Sequence, residues 1–442
     1  MEGMTRRDVL AGASLSAAAV SARAAAQGGT ARRPNVVFIL ADDLGYADLG
    51  CYGQKQVQTP RLDEMSKHSL MFTQAYSGST VCAPSRCCLM TGKHTGHATI
   101  RGNEDPHVPL LPDETTVANV FKKAGYATGQ FGKWGLGTPP DMHALPTRKG
   151  FDEFFGYLHQ VHAHTYFPDM LWDNEREHYY EPNFGGGKKI YSHDEITKRA
   201  LTFIDKNRGR PFFLYAPFTP PHGRFEVPDP APYADRNWPA QAKNLASMIT
   251  RLDASSGMIF DRLRQHGLED NTLVIFASDN GPGDMSNKQF QSSGPFRGVK
   301  RDLYEGGIRV PFLASWKGVI TPGVTNQPMA FWDFLPSVCD LLDAAPPPGL
   351  DGVSYLPTLL GQPGNQRPHE YYYWEFFEKG FQQAVREGDW KGIRLKQGEP
   401  LELYNLASDP AESKNVAASN SRVVERLEAR LRTCRTRTAK WG

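Results

Sequence analysis

Continuous apolar runs alternate along this chain with segments of helical periodicity. Pro34-Asn35-Val36-Val37-Phe38-Ile39-Leu40-Ala41 and Asn271-Thr272-Leu273-Val274-Ile275-Phe276-Ala277 are uninterrupted and partly β-branched, as expected of strands covered on both faces of a parallel sheet. Tyr126 to Gly132, broken by Thr128 and Gln130, and Pro211 to Phe218 are read as two further strands that follow this pattern at their ends. Leu245, Met248, Ile249, Leu252, Ile259 and Leu263 recur at helical spacing and predict a core helix; Asp63 to Met71 and Glu114 to Lys123 predict shorter ones. The pattern implies an α/β fold, a large mixed, mainly parallel sheet flanked by helices.

Around Ala344 to Gly352 the chain turns rich in Pro and Gly, which marks a boundary. Short strand-like runs follow at Tyr371 to Phe377, Gln383 to Arg386, Trp390 to Leu395 and Leu401 to Leu406. An amphipathic helix with Val424, Leu427, Leu431 and Cys434 on one face comes last, predicting a small C-terminal antiparallel sheet plus helix over 350–442. At the other end, Thr5-Arg6-Arg7-Asp8-Val9-Leu10 precedes an Ala-rich run and Ala24-Ala25-Ala26. Residues 1–26 therefore resemble a bacterial twin-arginine export signal, and the expected address is periplasmic or secreted.

With 442 residues, 40% of them hydrophobic, the chain can bury a large core. Its formal net charge of +2 gives no electrostatic case for nucleic acid or an acidic membrane surface. No other stretch approaches the ~18 apolar residues of a membrane-spanning helix, so no anchor is expected.

The strands end in chemistry. The first runs into Asp42-Asp43, and ligands of open α/β sheets gather beyond the carboxyl ends of strands. Two carboxylates there suit a hard-metal site or a turn cap. The 271 strand ends in Ser278-Asp279-Asn280-Gly281. If the two strands are parallel neighbours, Asp42, Asp43, Asp279 and Asn280 present an all-oxygen set suited to Ca²⁺ or Mg²⁺ rather than Zn²⁺. The other two runs lead to Lys133 and, through Thr219-Pro220-Pro221, to His222. Cys82-Ala83-Pro84-Ser85-Arg86 reads as a loop entering a helix, with Pro84 at the first helical position and Gly92 past the end. Cys82 at that N-terminus is a candidate nucleophile, with Arg86 one turn on, or a buried small hydrophobe.

Cys82-Ala83-Pro84-Ser85-Arg86, continued by Leu89-Met90-Thr91-Gly92, resembles the signature of the formylglycine-dependent sulfatases, the arylsulfatase-like branch of the alkaline phosphatase superfamily. The likeness extends through Ala41-Asp42-Asp43, Gly132-Lys133-Trp134, Pro220-Pro221-His222, Ser278-Asp279-Asn280-Gly281 and the block from Gly298 to Pro311 to the C-terminus. It implies an alkaline phosphatase-like catalytic domain over 33–345. It also implies that a formylglycine-generating enzyme converts Cys82 to an aldehyde whose hydrate attacks sulfur, oriented by Arg86 and the metal. Asp42, Asp43, Asp279 and Asn280 would hold the metal, Ca²⁺ or Mg²⁺. Lys133 and Lys300 would bind the sulfuryl oxygens, and His222 would protonate the leaving oxygen. Conversion in the cytoplasm suits export of a folded chain by the twin-arginine machinery. The six cysteines stand at 51, 82, 87, 88, 339 and 434. Removing Cys82 leaves an odd number, which argues against a full disulfide framework. Cys87, Cys88, Cys339 and Cys434 are expected to be buried, with one bridge left unassigned.

One departure stands out. Many members of that family carry His after Gly-Lys-Trp, at the position that binds sulfate or takes the proton in the elimination step; here it is Gly135. The His-rich stretch Tyr157 to Tyr166 offers His162 or His164 as a replacement or a substrate grip, unless it is a polar surface loop. The expected substrate is a sulfated small molecule or glycan, and Trp374, Phe376 and Phe377 are either sugar-stacking or core residues. Two rival readings are a phosphodiesterase or phosphonate monoester hydrolase on the same fold, and a non-catalytic sulfated-glycan binder. The absence of a second, His-rich cluster in the spacing weighs against a two-zinc enzyme.

Overall fold

In the computed structural model of the chain, which describes residues 33–103 and 108–442, the apolar runs lie at the centre of a ten-stranded sheet. The expected export signal, 1–26, falls outside the described residues. In chain order the strands are β1 (Asn35–Ala41), β2 (Leu70–Phe72), β3 (Ala75–Tyr76), β4 (Ala127–Lys133), β5 (Glu153–Tyr157), β6 (Met170–Asp173), β7 (Arg176–Tyr179) and β8 (Phe212–Pro217). They continue as β9 (Thr272–Ser278), β10 (Phe312–Ser315), β11 (Gly323–Thr325), β12 (Met329–Ala330), β13 (Tyr372–Phe376), β14 (Gln382–Glu387), β15 (Trp390–Arg394) and β16 (Glu402–Asn405). The large sheet has the order β11-β2-β10-β9-β1-β8-β4-β5-β6-β7.

β1 pairs in parallel with β9 on one side and β8 on the other, β8 with β4, and β4 with β5. Their carboxyl ends therefore share one edge. The register sets Ala41 against Ser278, so Asp42 and Asp279 emerge side by side. β10 and β6 run antiparallel to their inner neighbours, which makes the sheet mixed.

Along β1, Val36, Phe38 and Leu40 enter one core and Val37, Ile39 and Ala41 the other, the period-two division of a strand covered on both faces. The first core is closed by the helices Cys82–Thr91, Val117–Lys123 and Phe334–Leu342. The second is closed by Pro60–Ser66, Ser192–Asn207 and Ala240–Gln265. The long helix buries Leu245, Met248, Ile249, Leu252, Ile259 and Leu263, as its spacing predicts. The helix expected over Asp63 to Met71 is shorter. It runs Pro60–Ser66, and Leu70–Phe72 is instead an edge-proximal strand between β10 and β11, its apolar residues claimed by the sheet. The helix expected from Glu114 starts at Val117, where Thr116 and Asn119 form a capping box.

β13 to β16 form the expected four-stranded antiparallel sheet. Tyr373, Val385, Leu401 and Leu403 pack against Leu427, Leu431 and Cys434 of the terminal segment, whose helix is Ser421–Thr433. The opposite face, Tyr372, Trp374, Phe376, Ala384 and Ile393, joins the core of the large sheet. Trp374 and Phe376 are thus core residues and not sugar platforms; the Trp374 indole donates to Ser77 O at 3.0 Å. All six cysteines are free, with no disulfide among the described residues, and Cys87, Cys88, Cys339 and Cys434 are buried. Among the described residues no helix is long and apolar enough to cross a membrane.

Candidate active site

Cys82 opens the helix Cys82–Thr91, after Val81 in an extended conformation. Pro84 occupies the third helical position rather than the first. The difference costs nothing, because N–H groups of the first turn have no intrahelical acceptor in any case. The first helical bond runs from Ser85 N to Val81 O at 3.3 Å, and the helix stops at Gly92, whose φ of +72° suits glycine. Every residue of this helix is buried.

The helix aims Cys82 at the sheet edge. Its thiol donates to Asp42 Oδ1 at 3.3 Å, and Lys300 Nζ lies 3.4 Å from the sulfur. Lys133 Nζ donates to Asp42 Oδ2 at 2.6 Å from a fully buried position at the end of β4. Lys300 Nζ spans both oxygens of Asp43, at 2.6 and 2.8 Å. Arg86, one helical turn beyond Cys82, donates through Nε to Asp279 Oδ2 at 2.9 Å and through Nη1 to Lys133 O at 2.8 Å, and its Nη2 lies 3.2 Å from Asp42 Oδ2. His222 Nε2 is 3.5 Å from Asp43 Oδ2, and its Nδ1 is held by Gly223 O. Asp42, Asp43, Asp279, Asn280, Cys82, Arg86, Lys133, Lys300 and His222, expected from six separated segments, thus meet in one site.

Burial and the Asp42 charge push the Cys82 thiol well above its ordinary range, against Lys133 and Lys300. A thiolate is therefore disfavoured at this position. Burial also raises Asp279, helped by Asp42 and opposed by Arg86. On Asp43 burial acts upward, but Lys300 and His222 outweigh it and hold the carboxyl low. Burial lowers His222, with Asp43 pulling the other way.

The oxygen set fits a hard cation. Asn280 donates through Nδ2 to Asp43 Oδ1 at 2.7 Å, which leaves its Oδ1 buried without a hydrogen-bond partner among the described residues. Turning Lys133 and Lys300 toward a substrate anion leaves three carboxylates facing Arg86 alone, an excess that a divalent cation neutralises. Asp42, Asp43, Cys82 and His222 each offer an atom within 4.8 Å of the others.

The structure also brings His94, His97 and Asp351 together, a cluster not evident from spacing, at the opposite end of the Cys82 helix. Gly96 N donates to His94 Nδ1 at 3.2 Å, so the neutral ring carries its proton on Nε2, and a protonated nitrogen is not a metal ligand. His97 Nδ1 pairs with Asp351 Oδ1 at 2.8 Å. The cluster ties the helix end to the 350 segment.

Of the two His-stretch candidates, His164 reaches the site, stacked on His222, whereas His162 packs edge-on against Tyr157. Sequence reasoning missed three supporting residues. Tyr166 donates its hydroxyl to His222 O at 2.7 Å, Asn103 Oδ1 accepts from Ala83 N at 3.0 Å, and Gln160 fills the space beside Gly135. Gln160 and Tyr166 lie in the His-rich stretch, the one available signal; Asn103 carried none.

Comparison with known proteins agrees with this geometry. The sulfatase family profile matches residues 34–344, and the profile of the N-sulphoglucosamine sulphohydrolase C-terminal region matches 297–437. Human arylsulfatase A is 33% identical over 90% of this chain and 87% of its own. The N-acetylgalactosamine-6-O-sulfatase of Bacteroides thetaiotaomicron is 30% identical over 93% of this chain and 94% of its own. The crystal structure of Ps i-CgsB superposes with a TM-score of 0.80 at 28% identity, covering 92% of this chain and 94% of that one. With these matches along nearly its whole length, and a metal-suited acidic pocket at the head of the Cys82 helix, the chain belongs to the sulfatase family.

Proposed function

We propose that this sulfatase hydrolyses sulfate monoesters of sugars, with Cys82 carried as formylglycine and a divalent cation, Ca²⁺ or Mg²⁺, held by Asp42, Asp43, Asp279 and Asn280. The observation that carries the reading is the placement of Cys82 Sγ, 3.3 Å from Asp42 Oδ1 and 3.4 Å from Lys300 Nζ, in a pocket that disfavours its thiolate. Sulfatases generally use a formylglycine and a divalent metal. Here the aldehyde hydrate would supply the attacking oxygen and the cation would supply positive charge to the sulfuryl group.

The chain's own side chains do the rest. Lys133 and Lys300, buried and paired with Asp42 and Asp43, are placed to turn onto the non-bridging oxygens, charge stabilisation prearranged in a water-poor site. Arg86 bridges Asp279 and Asp42 and so fixes the carboxylates relative to residue 82. His222 faces the pocket through Nε2, its other nitrogen engaged by Gly223 O, and serves as general acid for the departing alcohol. A sugar substrate is favoured by the Bacteroides relative, an N-acetylgalactosamine-6-O-sulfatase by name.

In this reading 33–345 supplies the pocket and 350–442 the C-terminal subdomain. The 1–26 leader would send the folded, already converted chain to the periplasm or beyond. Parallel turnover of sulfated monosaccharides, 4-nitrophenyl sulfate and 4-nitrophenyl phosphate tests the reading. Sulfate esters should be the faster substrates and chelation should abolish their turnover; faster phosphate turnover would favour the phosphoryl-hydrolase alternative.

A further inference from the structure

A chain of contacts outside the sulfate-facing groups joins the small sheet to the rim of the pocket. Arg301 directly follows Lys300 and has a φ of +75°, a conformation rare for a residue with a Cβ. Its N–H donates to Thr80 O at 3.1 Å. Its Nε donates to Glu378 Oε2 at 2.7 Å, and Glu378 Oε1 accepts from Asn103 N at 3.2 Å. Asn103 in turn accepts from Ala83 N at 3.0 Å, one residue past Cys82. Glu378 lies in the loop between β13 and β14, where Lys379 also pairs with Asp302 at 2.9 Å.

The exposure of this pair sets it apart from the pocket floor. The side chains of Arg301 and Glu378 are 47% and 18% exposed, against 0% for Lys133. Burial opposes the Arg301 charge, but the Glu378 hydrogen bond, with Asp43 and Cys82 as further neighbours, raises its basicity. The guanidinium therefore stays charged while sharing the electrostatic surroundings of the reacting centre. With its guanidinium half exposed the ion pair adds little to stability, and the left-handed backbone at Arg301 belongs to the turn closed by Asp302 N on Val299 O at 2.9 Å.

We propose that Arg301 and Glu378 form the leaving-group subsite, in which the guanidinium donates to, and the carboxylate accepts from, neighbouring hydroxyls of the sulfated sugar. A donor fork beside an acceptor pair matches a polyol, whereas a nitrophenyl group has no hydroxyl to donate and only weakly accepting nitro oxygens. The inference rests on the sulfate-ester reading above.

The test compares kcat/KM of wild type, Arg301→Ala and Glu378→Gln on a panel of galactose and N-acetylgalactosamine monosulfates and on 4-nitrophenyl sulfate, with melting temperatures as a folding control. Each variant should lose at least tenfold more on the preferred sugar sulfate than on the aryl ester, mainly through KM. Glu378→Gln keeps the side-chain shape and guards against misfolding of the arginine variant. Equal losses on both substrates, or no loss on the sugar, would overturn the assignment. So would a wild type that cleaves the aryl ester and none of the sugars, and that result would leave the sulfatase reading standing. Turnover of neither substrate by wild type would overturn the underlying reading itself.

Discussion

The imidazole of His164 lies flat on that of His222, with ring centroids 4.2 Å apart and planes 16° from parallel. Burial, reinforced by the electrostatic influence of His222 and Lys133, presses His164 down to about 3, so it stays neutral at neutral pH. A general acid matters most when the leaving alcohol is poor. His222→Ala should therefore cost on the order of 10²–10⁴-fold in kcat on a sugar sulfate and far less on 4-nitrophenyl sulfate. His164→Ala should show the same substrate bias with a smaller loss. Equal losses on both substrates in steady-state assays would remove His222 from the acid role.

Gly135 has a φ of +75°, and a Cβ there would stand 2.2 Å from Gln160 Nε2. The Gln160 amide thus occupies the space a side chain at 135 would need. Gly135→Ala should destabilise the fold by about 1–3 kcal/mol through clash and backbone strain together. Adding Gln160→Ala should return the clash component and leave the strain. A denaturant-based double-mutant cycle reads the coupling, and strict additivity would show that the two residues do not compete for space.

Lys391 is fully buried between Glu305, at 2.9 Å, and Glu412, at 2.8 Å. It joins β15 to the segment that follows Lys300. Removing the cation leaves two carboxylates in a site that cannot hydrate them. Lys391→Met should cost about 3–5 kcal/mol, and a second change, Glu412→Gln, should recover part of it. Thermal and urea unfolding of the single and double variants check this; a single variant as stable as wild type would contradict it.

Asp48 is buried close to the Asp42-Asp43 turn, where it accepts from Gly45 N at 2.7 Å and from the Ser292 hydroxyl. Burial pushes its carboxyl from an ordinary 3.8 up to about 6, more than these two hydrogen bonds offset. Between those values the folded chain holds a proton that the unfolded chain has released, so stability falls as pH rises through that window. Asn at this position does not titrate. The stability of Asp48→Asn relative to wild type should therefore increase by on the order of 2–3 kcal/mol from pH 4 to pH 7. A difference that does not change with pH would show that Asp48 is already ionised in the fold at pH 4.

The residues legible in advance are those attached to strand ends. A buried parallel strand writes itself as an unbroken apolar run, so Asp42, Lys133 and Asp279 could be placed at a common edge before any contact was known. Elements without such a run were harder. Leu70-Met71-Phe72 continues the helical pattern of Pro60–Ser66 and becomes a strand only because β10 and β11 flank it. Trp374 is open to either a surface or a core reading until the small sheet is seen to share the main core. Contacts between loops left no periodic trace, so the stacking of His164 on His222 and the bond from Arg301 to Glu378 were invisible. His94 and His97 are near in sequence, but their partner Asp351 arrives from the far side of the helix end.

The most direct measurement is peptide mass spectrometry of the Ser79 to Arg86 segment from active enzyme purified out of a host able to generate formylglycine. Residue 82 should be found as the aldehyde or its hydrate, with sulfatase activity tracking the converted fraction from preparation to preparation. Full sulfatase activity in enzyme whose residue 82 is an unmodified thiol would contradict the central claim.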